Sequence, residues 1–253
     1  MRRLRIGGTG EPQWLVLRSF VKPFFVQHAK GLLTREADTL RLLSETDVPV
    51  AAFRGVDATA VYCDHPSLLM SLLPGSVQLG EEAGLRAGAW TSPDRVRLPE
   101  ATERLDVWQR AVDISRRDPP DYQPCFLHRD FHPGNVLFTG QGDRLEITGV
   151  VDWVETSWGP ADLDVAHCST ALALLHGAQE GMRLADRYLA SGGTLSEDPA
   201  AHLYWRVLDA LAFAPDAEKV AVPWREMRRE DLTSALLTSR LEDYLEELFR
   251  RFG

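Results

Sequence analysis

Hydrophobic and polar positions follow one rhythm early in the chain and another late in it. Through residue 73 the apolar residues come in short runs: LRI at 4–6, WLVLR at 14–18, AVYC at 60–63 and SLLMS at 67–71. Each has the length of a strand, and Gly7 to Pro12 supply turn chemistry between the first two. One helical stretch interrupts them at 34–43, where Leu33, Ala37, Leu40 and Leu43 recur on one face. Thr34 is its expected N-cap, and Pro49 forces an extended exit. The middle predicts a short helix at 80–90, a turn at 90–94 and a helix at 99–117 with Leu105, Trp108, Val112 and Ile114 inward, stopped by Pro119-Pro120. After Pro160 the spacing is helical: 164–175, 182–190 closed by Gly192-Gly193, 202–213, and 232–252 with Leu236, Leu237, Leu241, Tyr244, Leu245 and Leu248 on its inner face. The pattern predicts an α+β protein, strand-rich through residue 73 and mainly helical after Pro160.

Between these regimes lies CFLHRDFHPGNVLFTGQGDRLEITGVVDW, residues 125–153. Residues 136–138 and 145–151 read as a hairpin across a Gly-containing turn, which brings Asn135, just before one strand, next to Asp152, just after the other. Asp130 sits in the preceding loop with His128, Arg129, Pro133 and Gly134, and is expected to be exposed toward the hairpin mouth. Phosphoryl transfer requires positioning and charge neutralisation. A loop carboxylate can accept a hydroxyl proton, and an amide oxygen with a carboxylate suits Mg²⁺. His128 and His132 make no zinc site, because no further nitrogen or sulfur ligand follows at zinc spacing.

H-x-D-x4-N, a strand, and then V-V-D-W followed by W-G-P-x-x-x-D-V-A resembles the catalytic and metal loops of the aminoglycoside phosphotransferase family, small-molecule kinases with a protein-kinase-like fold. The resemblance implies Asp130 as catalytic base, Asn135 and Asp152 as Mg²⁺ ligands, and Asp164, with His128, as support of the catalytic loop. It implies that Arg18 reaches the phosphates of ATP or GTP and pairs with Glu36, and that Ser71 and Leu73 are nucleotide contacts. It also implies that residues 72–75 form the hinge between two lobes, a small antiparallel-sheet lobe at 1–73 and a larger, mainly helical one at 74–253. Acceptor pockets of the family are lined by C-terminal helices, which makes Glu155, Trp205 and Asp209 candidate substrate contacts. Only seventeen residues precede Arg18, too few for the extra strand and glycine-containing nucleotide loop of relatives at ~3.3 Å per residue, so a truncated N-lobe is expected. GGTG at 7–10 does not replace that loop: it lies between two strands and no helix follows. Val154 also stands where the family carries a glutamate, with Glu155 one residue later. A catalytically weak nucleotide-binding protein is therefore the second reading. A protein kinase is disfavoured, since eleven residues between Asp152 and Asp164 leave no activation segment and D-W replaces D-F-G.

Charge narrows the partners. Residues 1–73 carry nine Lys/Arg against seven Asp/Glu, the remainder nineteen against thirty, for a net charge of −9. The acidic larger part argues against nucleic acid and suits a small cationic acceptor. Cys63, Cys125 and Cys168 form no C-x-x-C and no disulfide framework, and the basic N-terminus has no apolar segment behind it, so a cytoplasmic protein without a membrane span is expected.

Overall fold

The structure, a computed structural model, describes residues 1–7, 12–77, 96–100, 102–226 and 229–253. The expected helix at 80–90, the turn at 90–94 and most of the turn at 7–12 lie outside these residues. The described chain is α+β and divides into two compact units, Met1–Ser76 with Asn135–Thr156, and Val77–Gly134 with Ser157–Gly253.

The first unit is built on a four-stranded antiparallel sheet of β1 (Arg2–Ile6), β2 (Gln13–Ser19), β3 (Phe53–Asp57) and β4 (Ser67–Ser71) in the order β1-β2-β4-β3. Alternation sets the faces: Leu15 of β2 and Leu68 of β4 are buried while Trp14 is exposed. The strand expected at 60–63 is not one. Val61, Tyr62 and Cys63 form bends because the Asp57 carboxylate accepts their backbone N–H groups at 2.8, 2.7 and 2.8 Å, a local competitor to ladder bonding. The partner of β4 is β3, with Val56 opposite Leu68.

The helix expected at 34–43 is the second half of α1 (Pro23–Leu43). Thr34 is thus an interior residue, and the start is marked by Pro23 in the first turn. Before Ala29 no residue of α1 is buried, so the first half lacks the apolar stripe that reveals a helix. Its second half buries Leu33, Ala37, Leu40 and Leu43 as expected. A short strand β5 (Ser76–Val77) precedes the hairpin of β7 (Val136–Thr139) and β8 (Glu146–Val150), in which Val136 faces Val150 and a register shift follows Leu137. The side chain of Leu73 lies against Gly149, where an added Cβ would come within 2.6 Å of Leu73 Cδ1.

The second unit pairs β6 (Cys125–Leu127) with β9 (Ser157–Gly159) and packs α2 (Leu105–Ser115), α3 (Asp162–His176), α4 (Ala178–Ala190), α5 (Pro199–Leu211), α6 (Glu218–Glu226) and α7 (Ser234–Phe252) around one apolar core. Trp108, Leu174, Trp224, Leu241, Tyr244 and Leu245 are at its centre. Leu105, expected inside, is the first residue of α2 and is 57% exposed. Helix α6 has no continuous helical pattern in the sequence because Pro223 interrupts it, yet Val220, Ala221 and Trp224 bury one side of it. Among the described residues no helix is long and apolar enough to cross a membrane.

Candidate active site

In the first unit, Arg18 near the end of β2 donates to Glu36 Oε1 of α1 at 2.9 Å and to Asp152 Oδ1, just after β8, at 2.8 Å. One guanidinium fork thereby ties sheet, helix and hairpin together. Burial pulls the Arg18 guanidinium down, but the two carboxylates outweigh it and raise it. Burial pushes Glu36 up to about 7 against the attraction of Arg18. Asp152 adopts a left-handed backbone, φ 66° and ψ 57°, which Asp tolerates better than most residues. The turn after it is held by Arg35, which donates to the Val154 carbonyl at 3.1 Å, and by Thr39 against Thr156 at 3.3 Å.

The Val151 N–H donates to the Asn135 carbonyl at 2.9 Å, so the hairpin brings the Asn135 and Asp152 positions together as its sequence implies. An amide oxygen and a carboxylate are hard donors fit for Mg²⁺, an ion that takes one or two protein carboxylates and completes its shell with phosphate and water. Ser71 is engaged with the neighbouring chain: its Oγ accepts from Ala52 N–H at 2.8 Å and its N–H donates to the Ala52 carbonyl at 2.9 Å. Leu73 packs on Gly149, and Thr148 Oγ1 fastens the segment by donating to the Pro74 carbonyl at 2.7 Å. Glu155 is exposed.

The second unit holds the loop that begins at His128. Asp164, in the first turn of α3, accepts the N–H of His128 at 2.7 Å on Oδ2 and that of Arg129 at 2.8 Å on Oδ1. Burial pushes this carboxyl up, and the two N–H donors oppose the push. Arg129 takes φ 73°, a costly backbone for a non-glycine residue, held where one carboxylate clamps two successive amides. Two histidines continue the bracing: Asp130 N–H donates to His128 Nδ1 at 3.3 Å, and Gly134 N–H to His132 Nδ1 at 2.9 Å. Each ring nitrogen that accepts leaves Nε2 as the protonated one in the neutral imidazole.

Asp130 is buried rather than exposed. Its Oδ1 lies 3.4 Å from His132 Nε2 and 3.3 Å from His167 Nε2, and His167 Nδ1 is hydrogen-bonded to Asp209 Oδ1 at 2.9 Å. Burial alone would push Asp130 up, but the two imidazoles hold it well below the usual carboxylate range. Asp209 is thus committed to His167, and Trp205 is buried in the helical core, edge-on to Tyr204. His167 carries no motif of its own in the sequence. Its only signal is its place three residues after Asp164, on the same face of α3, where a neighbour of the loop brace also reaches the loop.

A small antiparallel-sheet unit and a larger helical unit match the protein-kinase-like phosphotransferase fold. The chain belongs to the phosphotransferase enzyme family, whose model matches residues 81–211, just over half of its length. The structure of a microcompartment-associated aminopropanol kinase is 14% identical with a TM-score of 0.55, over 97% of this chain and 87% of the other. A thermostable mutant of aminoglycoside phosphotransferase APH(4)-Ia, in ternary complex with AMP-PNP and hygromycin B, is 13% identical with a TM-score of 0.52, over 96% and 93%. Aminoglycoside phosphotransferase APH(3'')-Id from Streptomyces rimosus is 15% identical with a TM-score of 0.50, over 83% and 92%. At these identities the likeness is one of fold. No curated protein sequence matches the chain.

Proposed function

We propose that this chain is a small-molecule O-phosphotransferase, moving the γ-phosphoryl group of ATP or GTP to a hydroxyl of a small cationic acceptor. The observation that carries the reading is the Asp164 carboxylate taking the N–H groups of both His128 and Arg129, which fixes the loop that bears Asp130. Asp130 then orients the acceptor hydroxyl and takes its proton as the new O–P bond forms and the bond from the γ-phosphorus to the bridging oxygen breaks, releasing the nucleoside diphosphate. The two imidazoles hold this carboxyl below its usual range, so it is ionised and free to accept a proton. Asn135 and Asp152 would hold Mg²⁺, which would supply neutralisation of charge on the nucleotide phosphates. Arg18, anchored by Glu36, binds the nucleotide phosphates, and the segment from Ser71 to Leu73 meets the base. Residues 1–73 serve the nucleotide and 74–253 catalysis and acceptor, with Glu155 as an acceptor contact. The acidic balance of residues 74–253 supports a cationic acceptor.

Asp130→Ala is expected to reduce phosphorylation across a panel of amino alcohols and aminoglycosides by roughly 10²–10⁴-fold, with nucleotide affinity little changed. Transfer at the wild-type rate would remove Asp130 from the role of base. In the same preparation, nucleotide with Mg²⁺ at 100 times Kd should stabilise the protein by roughly 2.7 kcal/mol. A thermal shift without turnover on any acceptor would identify a nucleotide-binding protein instead.

A further inference from the structure

The proposed base is part of a longer chain of charges. His167, buried on α3, stands between two carboxylates, with Nδ1 at 2.9 Å from Asp209 Oδ1 and Nε2 at 3.3 Å from Asp130 Oδ1. A neutral imidazole carries a single N–H and cannot donate from both nitrogens. His167 therefore offers a donor to both carboxylates only if its ring is doubly protonated, and it does so beside His132 Nε2, which also faces Asp130 Oδ1. We infer that His167 is an imidazolium at neutral pH, anchored by Asp209, that positions Asp130 and keeps it ionised for the acceptor hydroxyl. The positioning half of this inference rests on the kinase reading above, whereas the charge of His167 does not.

The surroundings agree with that assignment. The His132 ring stands 5.8 Å from the His167 ring and the Phe213 ring 5.7 Å from it, which limits how far the imidazole can turn. The ionisable groups near the ring are Asp130 and His132 from the loop, Asp164 and Cys168 from α3 itself and Asp209 from α5, with Lys219 of α6 acting on Asp209. Burial lowers the His167 imidazole, but Asp209 and Asp130 raise it to about 10. Burial opposes charge on Cys168, pushing it to about 12, which leaves it a neutral neighbour. A fixed cation beside the base has a chemical consequence. Asp130 stays a carboxylate in acid, where an ordinary buried aspartate would take up a proton and stop orienting the hydroxyl.

The charge can be read without turnover. In ¹⁵N-histidine-labelled wild-type protein, with ring resonances assigned from His167→Gln and checked in Asp209→Asn, both His167 nitrogens should carry protons at about pH 8, where a free histidine is neutral. A neutral tautomer at that pH would overturn the inference whatever the enzyme does. In the phosphorylation assay, His167→Gln keeps one donor but no charge. It should lower kcat by about 10–100-fold, part of the 10²–10⁴ that a positioned base supplies. It should also move the acid limb of kcat/KM to higher pH, with the KM for nucleotide unchanged. An unshifted pH profile would reduce His167 to a packing residue. If Asp130→Ala retains full activity while His167 is doubly protonated, the kinase assignment of the base fails and the charge assignment stands.

Discussion

Asp164 satisfies two successive backbone amides with one side chain, so its removal leaves two donors with no partner in a buried loop. Asp164→Ala is expected to cost about 2–6 kcal/mol, read from the urea midpoint, because each stranded buried donor costs about 1–3 kcal/mol. Loss of transfer should accompany it even where the variant remains folded, since the Arg129 backbone would no longer be held in its left-handed form. His167 adds a pH signature to stability. Its folded value is raised from 6.5 to about 10, so the native state binds the extra proton more tightly than the unfolded chain does. The stabilisation is complete below the unfolded value and fades as pH rises through the folded one. The difference in urea midpoint between wild type and His167→Gln should therefore narrow from pH 6.5 to 10. A difference constant over that window would show that the ring contributes by packing alone.

Elements place these residues by register and packing. The β7–β8 hairpin sets Asn135 beside the Val151–Asp152 corner, and its position against the 71–75 segment depends on Gly149, which leaves room for Leu73. Gly149→Ala would put a Cβ 2.6 Å from Leu73 Cδ1 and 3.3 Å from Leu137 Cδ1. A loss of about 1–3 kcal/mol is expected from overpacking, and nucleotide affinity should weaken as Leu73 is displaced. Unchanged affinity in a folded variant would remove Leu73 from the nucleotide site. Elements with a continuous apolar face were legible in the sequence: the second half of α1, and α3, α4, α5 and α7. Those without one were not. The exposed first half of α1, the Pro-interrupted α6 and the three-residue strand β9 take their conformation from neighbours. At 60–63 the Asp57 carboxylate overrides β propensity.

Across the whole molecule, charge is the property that reaches furthest. Residues 74–253 hold thirty acidic against nineteen basic side chains. A cationic acceptor would be drawn by that field and an anionic nucleotide would not. Raising ionic strength should therefore raise the KM of a cationic acceptor, as the Debye length contracts from about 10 Å at 0.1 M to about 3 Å at 1 M. The kcat at saturating acceptor should change little. A KM insensitive to salt would leave the acceptor's charge without support and turn attention to neutral hydroxyl compounds.

The sequence by itself determined the α+β class, the hairpin and the family, because strand and helix periodicity and the H-x-D-x4-N, V-V-D-W and D-V-A spacings are local properties of the chain. It also paired Arg18 with Glu36 through resemblance. Only the tertiary structure decided that Arg18 also holds Asp152, that Asp130 is buried, and that His167 and Asp209 stand behind it. Those contacts join residues 37 to 134 positions apart. Their partners are chosen by how helices and sheet pack, and a buried charge is stable only where packing delivers its counterion.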